Sequence, residues 1–439
     1  MGGTVKAVAI NPLKQSQPLG GALAVLGFDG AVPVFHGSQG CAAFAKTLLV
    51  RHFREAVPLH TTALTEVTAV LGGTENLFQA LETLITNARP ALIAVMSTAL
   101  TETKGEDLAG DVDRFRARHP DGPPVVAVST PDFRGSVEDG YAAAVTALVE
   151  ALAGPPLAVD PRQVTVLAGS HLTAGDLDLV RAALAGFGLS PLLLPDLGGA
   201  LDGGRAGYHP AAAGGTPLDT FARLGASAAV LVLGASLEPA ARVLEARYGT
   251  PVYVFDRLTG LEATDAFYAR LAALSGRPVP EAVRRARARL TDALLDAHFL
   301  VGGARVAVAL EADFLLAVTR FLVDELGAEA AAAVAPAPAP ALRGLPEAVL
   351  GDLDDWESQA RTAEADLLIA SSHGVHAARR LGRPLLRLGL PVYDRLGVHF
   401  RRSVLYTGSM ELTFRAANLL LETLESHPAP TRSEGRSPS

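Results

Sequence analysis

Short apolar runs alternate with longer amphipathic stretches along most of the chain. Residues 91–96, 125–129, 164–168, 228–233, 252–255, 306–310 and 366–370 are rich in Val, Leu, Ile and Ala. They are apolar at consecutive positions rather than at every second one, which predicts strands buried on both faces. Between them, apolar residues recur at helical spacing over 75–87, 107–119, 137–152, 176–185, 238–248, 280–299, 313–326 and 410–425. Buried strands alternating with helices predict the α/β class, with parallel sheets flanked by helices.

Glycine and proline punctuate this alternation. Gly154-Pro155-Pro156 closes one set of strands, and the helix over 280–299 lies where the chain would pass from a second lobe to a third. Three α/β lobes are expected, over 1–156, 157–299 and 300–426, with a polar Pro/Ser-rich tail at 427–439 expected to be disordered. Residues 198–215 form a glycine-rich loop. Residues 328–341 open strand-like or helix-like and run into a Pro-Ala stretch expected to be an extended spacer.

Composition narrows the chemistry. The 439 residues include one cysteine. That count excludes an intrachain disulfide, a Cys₄ zinc site and a self-contained iron–sulfur cluster, each of which needs several thiolates. The net charge of −8 does not call for nucleic acid as an electrostatic partner. No apolar run approaches the roughly 18–20 residues of a membrane span, and residues 1–14 lack a signal-peptide core. A cytoplasmic protein is expected. Lysine appears only at Lys6, Lys14, Lys46 and Lys104, the rest of the basic charge being arginine, as codon bias in a GC-rich genome would give.

Common active-site motifs are absent: no GxxxxGK[ST] phosphate loop, no GxGxxG fingerprint, no GxSxG elbow. His373 and His376, spaced i, i+3, read as loop and helix-start residues. The arginines between 284 and 289 read as a solvated or salt-bridged helix face. The informative segment is His36-Gly37-Ser38-Gln39-Gly40-Cys41, between a short strand at 32–35 and a helix at 42–53. There Cys41 meets the free N–H groups and dipole of a helix start, which favour negative charge. Gly37 and Gly40 remove side chains that would block a bulky group from the backbone. Taken alone, the segment fits a metal ligand, a reactive nucleophile or a small buried apolar residue.

Residues 36–41 (HGSQGC) do not stand alone. With them come 11–20 (NPLKQSQPLG), 97–108 (STALTETKGEDL), 130–136 (TPDFRGS), 259–267 (TGLEATDAF), Ser372-His373-Gly374 and 391–397 (PVYDRLG). In this set the chain resembles the β-type subunits of the nitrogenase component 1 family over nearly its whole length. Within the family it looks most like the β-like subunit of the cofactor-assembly scaffold. The catalytic β subunit carries three cysteines for an interfacial P-cluster. Here two of those positions hold Ser16 and Ala99 (or Leu100, if the gap is moved), and only Cys41 remains.

The resemblance implies three lobes around a central cleft and an α₂β₂ heterotetramer with a NifE-like chain. It implies a [4Fe–4S] cluster shared across that interface, with Cys41 as one ligand, Gly37 and Gly40 beside it, and Ser16 and His36 behind it. Ser16 would be a hydrogen-bonding loop residue near the interface. It further implies an iron–molybdenum cofactor precursor from a NifB-type donor, held mainly by the partner. Molybdenum and homocitrate insertion would follow with transient help from the nitrogenase iron protein, before transfer to the catalytic component. The expected role is that of an assembly scaffold rather than an enzyme. The rival within the superfamily is a β-like subunit of a dark-operative protochlorophyllide or chlorophyllide reductase, disfavoured by the NPLKxSQP and TETKGEDL segments. The catalytic β subunit is disfavoured by Ser16 and Ala99. A stacked Rossmann-type enzyme is disfavoured by the missing phosphate loop.

Overall fold

The computed structural model describes residues 10–202 and 208–426. The tail at 427–439 and part of the glycine-rich loop lie outside the described residues. Thirteen strands form three sheets among the described residues, and every strand pairing is parallel. The first sheet holds β1 (Ala31–His36), β2 (His60–Thr61), β3 (Leu92–Ser97) and β4 (Val125–Val128), in the order β2-β1-β3-β4. The second holds β5 (Asp160–Ala168), β6 (Ser190–Leu194), β7 (Ser227–Leu233) and β8 (Val252–Phe255), in the order β6-β5-β7-β8. The third holds β9 (Arg305–Ala309), β10 (Glu329–Ala335), β11 (Val349–Leu350), β12 (Leu367–Ala370) and β13 (Leu385–Arg387), in the order β11-β10-β9-β12-β13.

The central strands are mostly buried because helices cover both faces of each sheet, though β5 opens with three exposed residues. β1 and β3, for example, have no exposed residue. In each sheet the strand order reverses beside the first strand: after β1, after β5 and after β9. An α/β sheet opens a crevice at the carboxyl ends of the two strands flanking such a reversal. In the first sheet those strands are β1 and β3. The segments carrying Cys41 and Ala99 leave that crevice.

Two helices pack backbone to backbone against the first sheet. A Cβ on Gly20, in the helix Gln17–Leu26, would fall 1.8 Å from the Val137 carbonyl oxygen. One on Gly140, in the helix Val137–Leu152, would fall 1.9 Å from that of Gln17. Only hydrogen fits at this crossing. The Gln17–Leu26 helix is buried at every position. It therefore shows little amphipathic periodicity and escapes a pattern-based reading.

The expected Pro-Ala spacer is not a spacer. Residues 329–335 form β10 inside the third sheet, and Pro340–Gly344 turn as a 3₁₀ helix with Ala337 and Ala341 buried. Alanine and proline are small enough to sit in a closely packed layer, and composition alone does not separate that from an extended linker. The glycine-rich loop returns to the first lobe. Gly30 N donates to the Ala212 carbonyl, Ala212 N donates to the Ala31 carbonyl at the start of β1, and Thr216 bridges to Phe28.

Candidate metal-ligand site at the first sheet

Cys41 is the third residue of the helix Gln39–Phe53, which opens directly behind β1. Its thiol is free and exposed, which removes the reading of a small buried apolar residue. The nearest polar side chain is its own helix cap, with Ser38 Oγ 3.6 Å from Cys41 Sγ. Gly40 faces open space: a Cβ there would meet nothing within 4 Å. Gly37 differs, since a Cβ there would lie 2.8 Å from Thr98. The close approach at Gly37 is thus made by the chain's own Thr98, behind the helix start rather than in front of it.

His36 is fully buried and turned inward. Thr62 Oγ1 accepts from the Gly37 N–H at 3.2 Å and lies 3.0 Å from His36 Nδ1. Nε2 is in contact with Glu106 Oε2 at 2.8 Å. Burial holds the imidazole below its ordinary pKa against the pull of Glu106, so the ring is neutral at pH 7. Burial pushes the Glu106 carboxyl up, but Lys104, His36 and the Gly73 N–H together hold it below the usual carboxylate range. Lys104 Nζ donates to Glu106 Oε1 at 2.9 Å, and Gly73 N donates to the same oxygen at 3.0 Å.

The segment 97–108 is the buttress of this corner. Thr98 Oγ1 donates to the His36 carbonyl at 2.8 Å, and Thr98 and Thr101 form the capping box of the helix Ala99–Lys104. Ser97 and Ser129 both bond Glu102, and Thr130 N donates to Ser97 Oγ at 2.7 Å, which ties the ends of β3 and β4. Ser16, in extended backbone just before the helix Gln17–Leu26, is its N-cap and accepts from Leu19 N at 3.3 Å. Gln17 N and Lys14 Nζ bond Asp132, so the 11–20 and 130–136 segments lock together. Four segments singled out in the sequence thus meet at one edge. Ala99 is half-buried there.

Several large apolar side chains are exposed on segments that leave the carboxyl ends of the first sheet's strands. Phe44, one turn beyond Cys41 on the same helix, is 68 % exposed. Leu100 and Phe133, leaving β3 and β4, and Val70 and Leu71, beyond β2, are also exposed. An exposed apolar group of this extent marks a surface that another molecule covers. Among the described residues no set of three or more His, Cys, Asp or Glu side chains is arranged to hold a metal. His373 and His376 part company: His373 sits in the 3₁₀ turn Ser372–Gly374 beside the Tyr393 ring, and His376 starts the helix Val375–Leu381. Of the helical arginines, Arg284 pairs with Glu281, and Arg287 pairs with Asp265 at 2.7 Å across to the helix Leu261–Ser275. No helix among the described residues is long and apolar enough to cross a membrane.

The three parallel sheets and this corner define a known class. Residues 16–421 match the model of the nitrogenase component 1 type oxidoreductases. The chain belongs to that family. A solved chain of nitrogenase Cp1 at pH 6.5 superposes with a TM-score of 0.93 at 29 % identity, covering 100 % of this chain and 98 % of that one. A chain of nitrogenase Cp1 at pH 5 shares the fold at a TM-score of 0.70 and 15 % identity, over 98 % of this chain and 93 % of that one.

Within the family the chain falls among the NifN proteins. It is 46 % identical to the nitrogenase iron-molybdenum cofactor biosynthesis protein NifN of Nostoc sp., over 96 % of this chain and 95 % of the relative. To the NifN of Rhizobium meliloti it is 45 % identical, over 97 % of each. To that of Klebsiella pneumoniae it is 37 % identical, over 95 % and 92 %.

Proposed function

We propose that this chain is the β-like subunit of a NifEN-type scaffold on which the iron–molybdenum cofactor precursor is matured, and that Cys41 supplies one ligand to a [4Fe–4S] cluster shared with the NifE-like subunit. The observation that carries the reading is an exposed free cysteine in the first turn of the helix behind β1, with the exposed Phe44 one turn along that helix, in a chain with full-length likeness to NifN proteins. One thiolate is too few for a cluster of its own, and three more from a partner complete the usual four.

The chain's residues fit that share. Cys41 binds iron from the first turn of a helix, whose unpaired N–H groups stabilise the sulfur's negative charge. Ser38 Oγ, at 3.6 Å, can donate to the same sulfur and draw charge from it. Thr98, His36 and Glu106 fix the helix start from behind. The cluster, when bound, supplies one-electron redox capacity. Phe44, Leu100 and Phe133 exclude water at the seam with the partner. An obligate interface of this kind buries more than about 2,000 Å². The precursor itself is held by the NifE-like chain; the nitrogenase iron protein and a NifB-type donor visit the assembled complex.

The test is a maturation assay. The complex of this chain with its NifE-like partner, supplied with precursor, molybdate, homocitrate and iron protein, should activate cofactor-free nitrogenase component 1. Tight assembly with the partner and no maturation, together with reduction of protochlorophyllide, would replace this reading with the pigment-reductase one.

A further inference from the structure

The helix that begins beside Cys41 ends at Phe53, about 17 Å away along its axis. Its far end forms part of the wall of an enclosed cavity of about 90 Å³, where segments following β5, β9 and β13 meet. The walls are mostly aliphatic and aromatic, among them Leu172, Leu310, Phe314 and Leu388. Against this background the polar groups are unusual. Arg415, on the helix Leu405–Ser426, uses Nη2 on the Arg387 carbonyl at 3.2 Å, but its Nη1 is buried with no partner. Arg401 also lines the cavity, and no carboxylate among the described residues pairs with either guanidinium. Nδ1 of His171 and Nδ1 of His399 are buried and unpartnered in the same walls.

Buried polar groups are normally satisfied, and a buried cation without a counter-ion is costly. Burial and then the neighbouring Arg401 push the Arg415 pKa down to about 10, which still leaves it charged at neutral pH. Burial holds His171 near 4, a neutral ring stacked 5.6 Å from Phe314. One acid, Glu311, lines the space, but its carboxyl accepts from Ser136 and burial pushes it up to about 7. Glu411 and Asp176 favour the charged Arg415 from nearby without pairing with it. The cavity is therefore a donor-bearing site in a largely apolar shell, with room for several waters or one short organic acid. A planar guanidinium grips a carboxylate in two-point fashion. The aliphatic and aromatic side chains that make up most of the walls suit a hydrocarbon tail better than the remaining oxygens of a tetrahedral inorganic anion. A surface hollow of about 310 Å³ adjoins the cavity, with Phe53, Leu201 and His399 lining both.

We infer that this cavity binds a short aliphatic monocarboxylate, with Arg415 and Arg401 holding the carboxylate and Leu310, Phe314 and Leu388 enclosing its hydrocarbon end. The inference does not depend on the role of Cys41. It is tested by equilibrium dialysis of the full chain against radiolabelled butyrate at pH 7.5, with and without sulfate in excess. One saturable butyrate per chain is expected, little affected by sulfate. Arg415→Met should weaken binding at least tenfold and Arg401→Met severalfold, and Leu388→Trp, which fills the space, should abolish it. Should Arg415→Met fail to fold, the partly exposed Arg401 still carries the test. Absence of saturable butyrate binding, displacement by sulfate at equal concentration, or unchanged binding in both arginine variants would overturn the proposal.

Discussion

Two sets of polar residues stand at strand ends of this molecule, and their surroundings differ in kind. At the seam where the segments carrying the three sheets meet, Glu138 and Asp313 are buried and Glu311 is half-buried, and each is held by a residue from a segment carrying a different sheet. Glu138 accepts from Asp313 N at 3.0 Å, Glu311 from Ser136, and Asp313 from Ser236 Oγ at 2.6 Å. At the first sheet, Cys41 is exposed, and its one polar side-chain neighbour is the serine of its own helix cap. The seam spends its polar groups on holding lobes together. The Cys41 corner leaves a ligand atom free and braces it from behind. Changes at the seam should cost stability; changes at Cys41 should cost metal and little else.

The largest effect is expected where the seam's supporting helix crosses its neighbour. Gly140→Val puts side-chain atoms where the Gln17 carbonyl already is, so a loss of more than about 3 kcal/mol and little folded protein are expected. Soluble yield and circular dichroism check this. Folded Gly140→Val with an unchanged urea midpoint would show that the backbone crossing is not needed.

Next comes the pH dependence of the seam. Burial raises the Glu311 carboxyl to about 7 and that of Asp313 to about 6, so the folded protein binds these protons more tightly than the unfolded chain. Their contribution is fully present below the ordinary carboxylate pKa and is lost as pH rises through about 6 and 7. Glu311→Gln keeps an acceptor for Ser136 and removes the titration. It should flatten the decline in urea midpoint between pH 4.5 and 7 and, at pH 8, exceed the parent by ~1–3 kcal/mol. A variant that follows the parent's pH profile would remove Glu311 as its source.

Ser16→Ala tests a position that bears on both regions. As the N-cap of a buried helix it should cost ~1 kcal/mol in urea denaturation and leave the iron content of the partnered complex unchanged. Loss of iron with full stability would instead make Ser16 part of the metal site.

Much of this was legible from the chain itself. Long consecutive apolar runs gave the inner strands β1, β3, β5, β7, β9 and β12, the edge strands β4 and β8, and the α/β class. The edge strands β2, β11 and β13 have only two or three residues and carry no periodicity to read. β6 includes Pro191, which argues against a strand by pattern. The helix Leu353–Thr362 was missed although Asp352 and Asp355 form a capping box at its start, a signal present in the sequence. At the candidate site, Cys41 emerged from a resemblance between motifs. Its exposure, the inward turn of His36 and the capping role of Ser16 did not. The His36–Glu106 contact joins residues 70 positions apart in the sequence, which no local pattern can reveal. The arginines of the central cavity come together only through the fold of the last helix.

The smallest stability effect belongs to the most informative residue. Cys41→Ala removes an exposed thiol, and its urea midpoint should move by no more than about 0.5 kcal/mol. The direct test is iron content and electron paramagnetic resonance of this variant, purified anaerobically as a complex with its NifE-like partner, beside the parent complex. Loss of the interfacial cluster's iron and signal, with folding and partner binding retained, is the predicted result. A complex of Cys41→Ala that keeps the full iron content and an unchanged signal would contradict Cys41 as a cluster ligand.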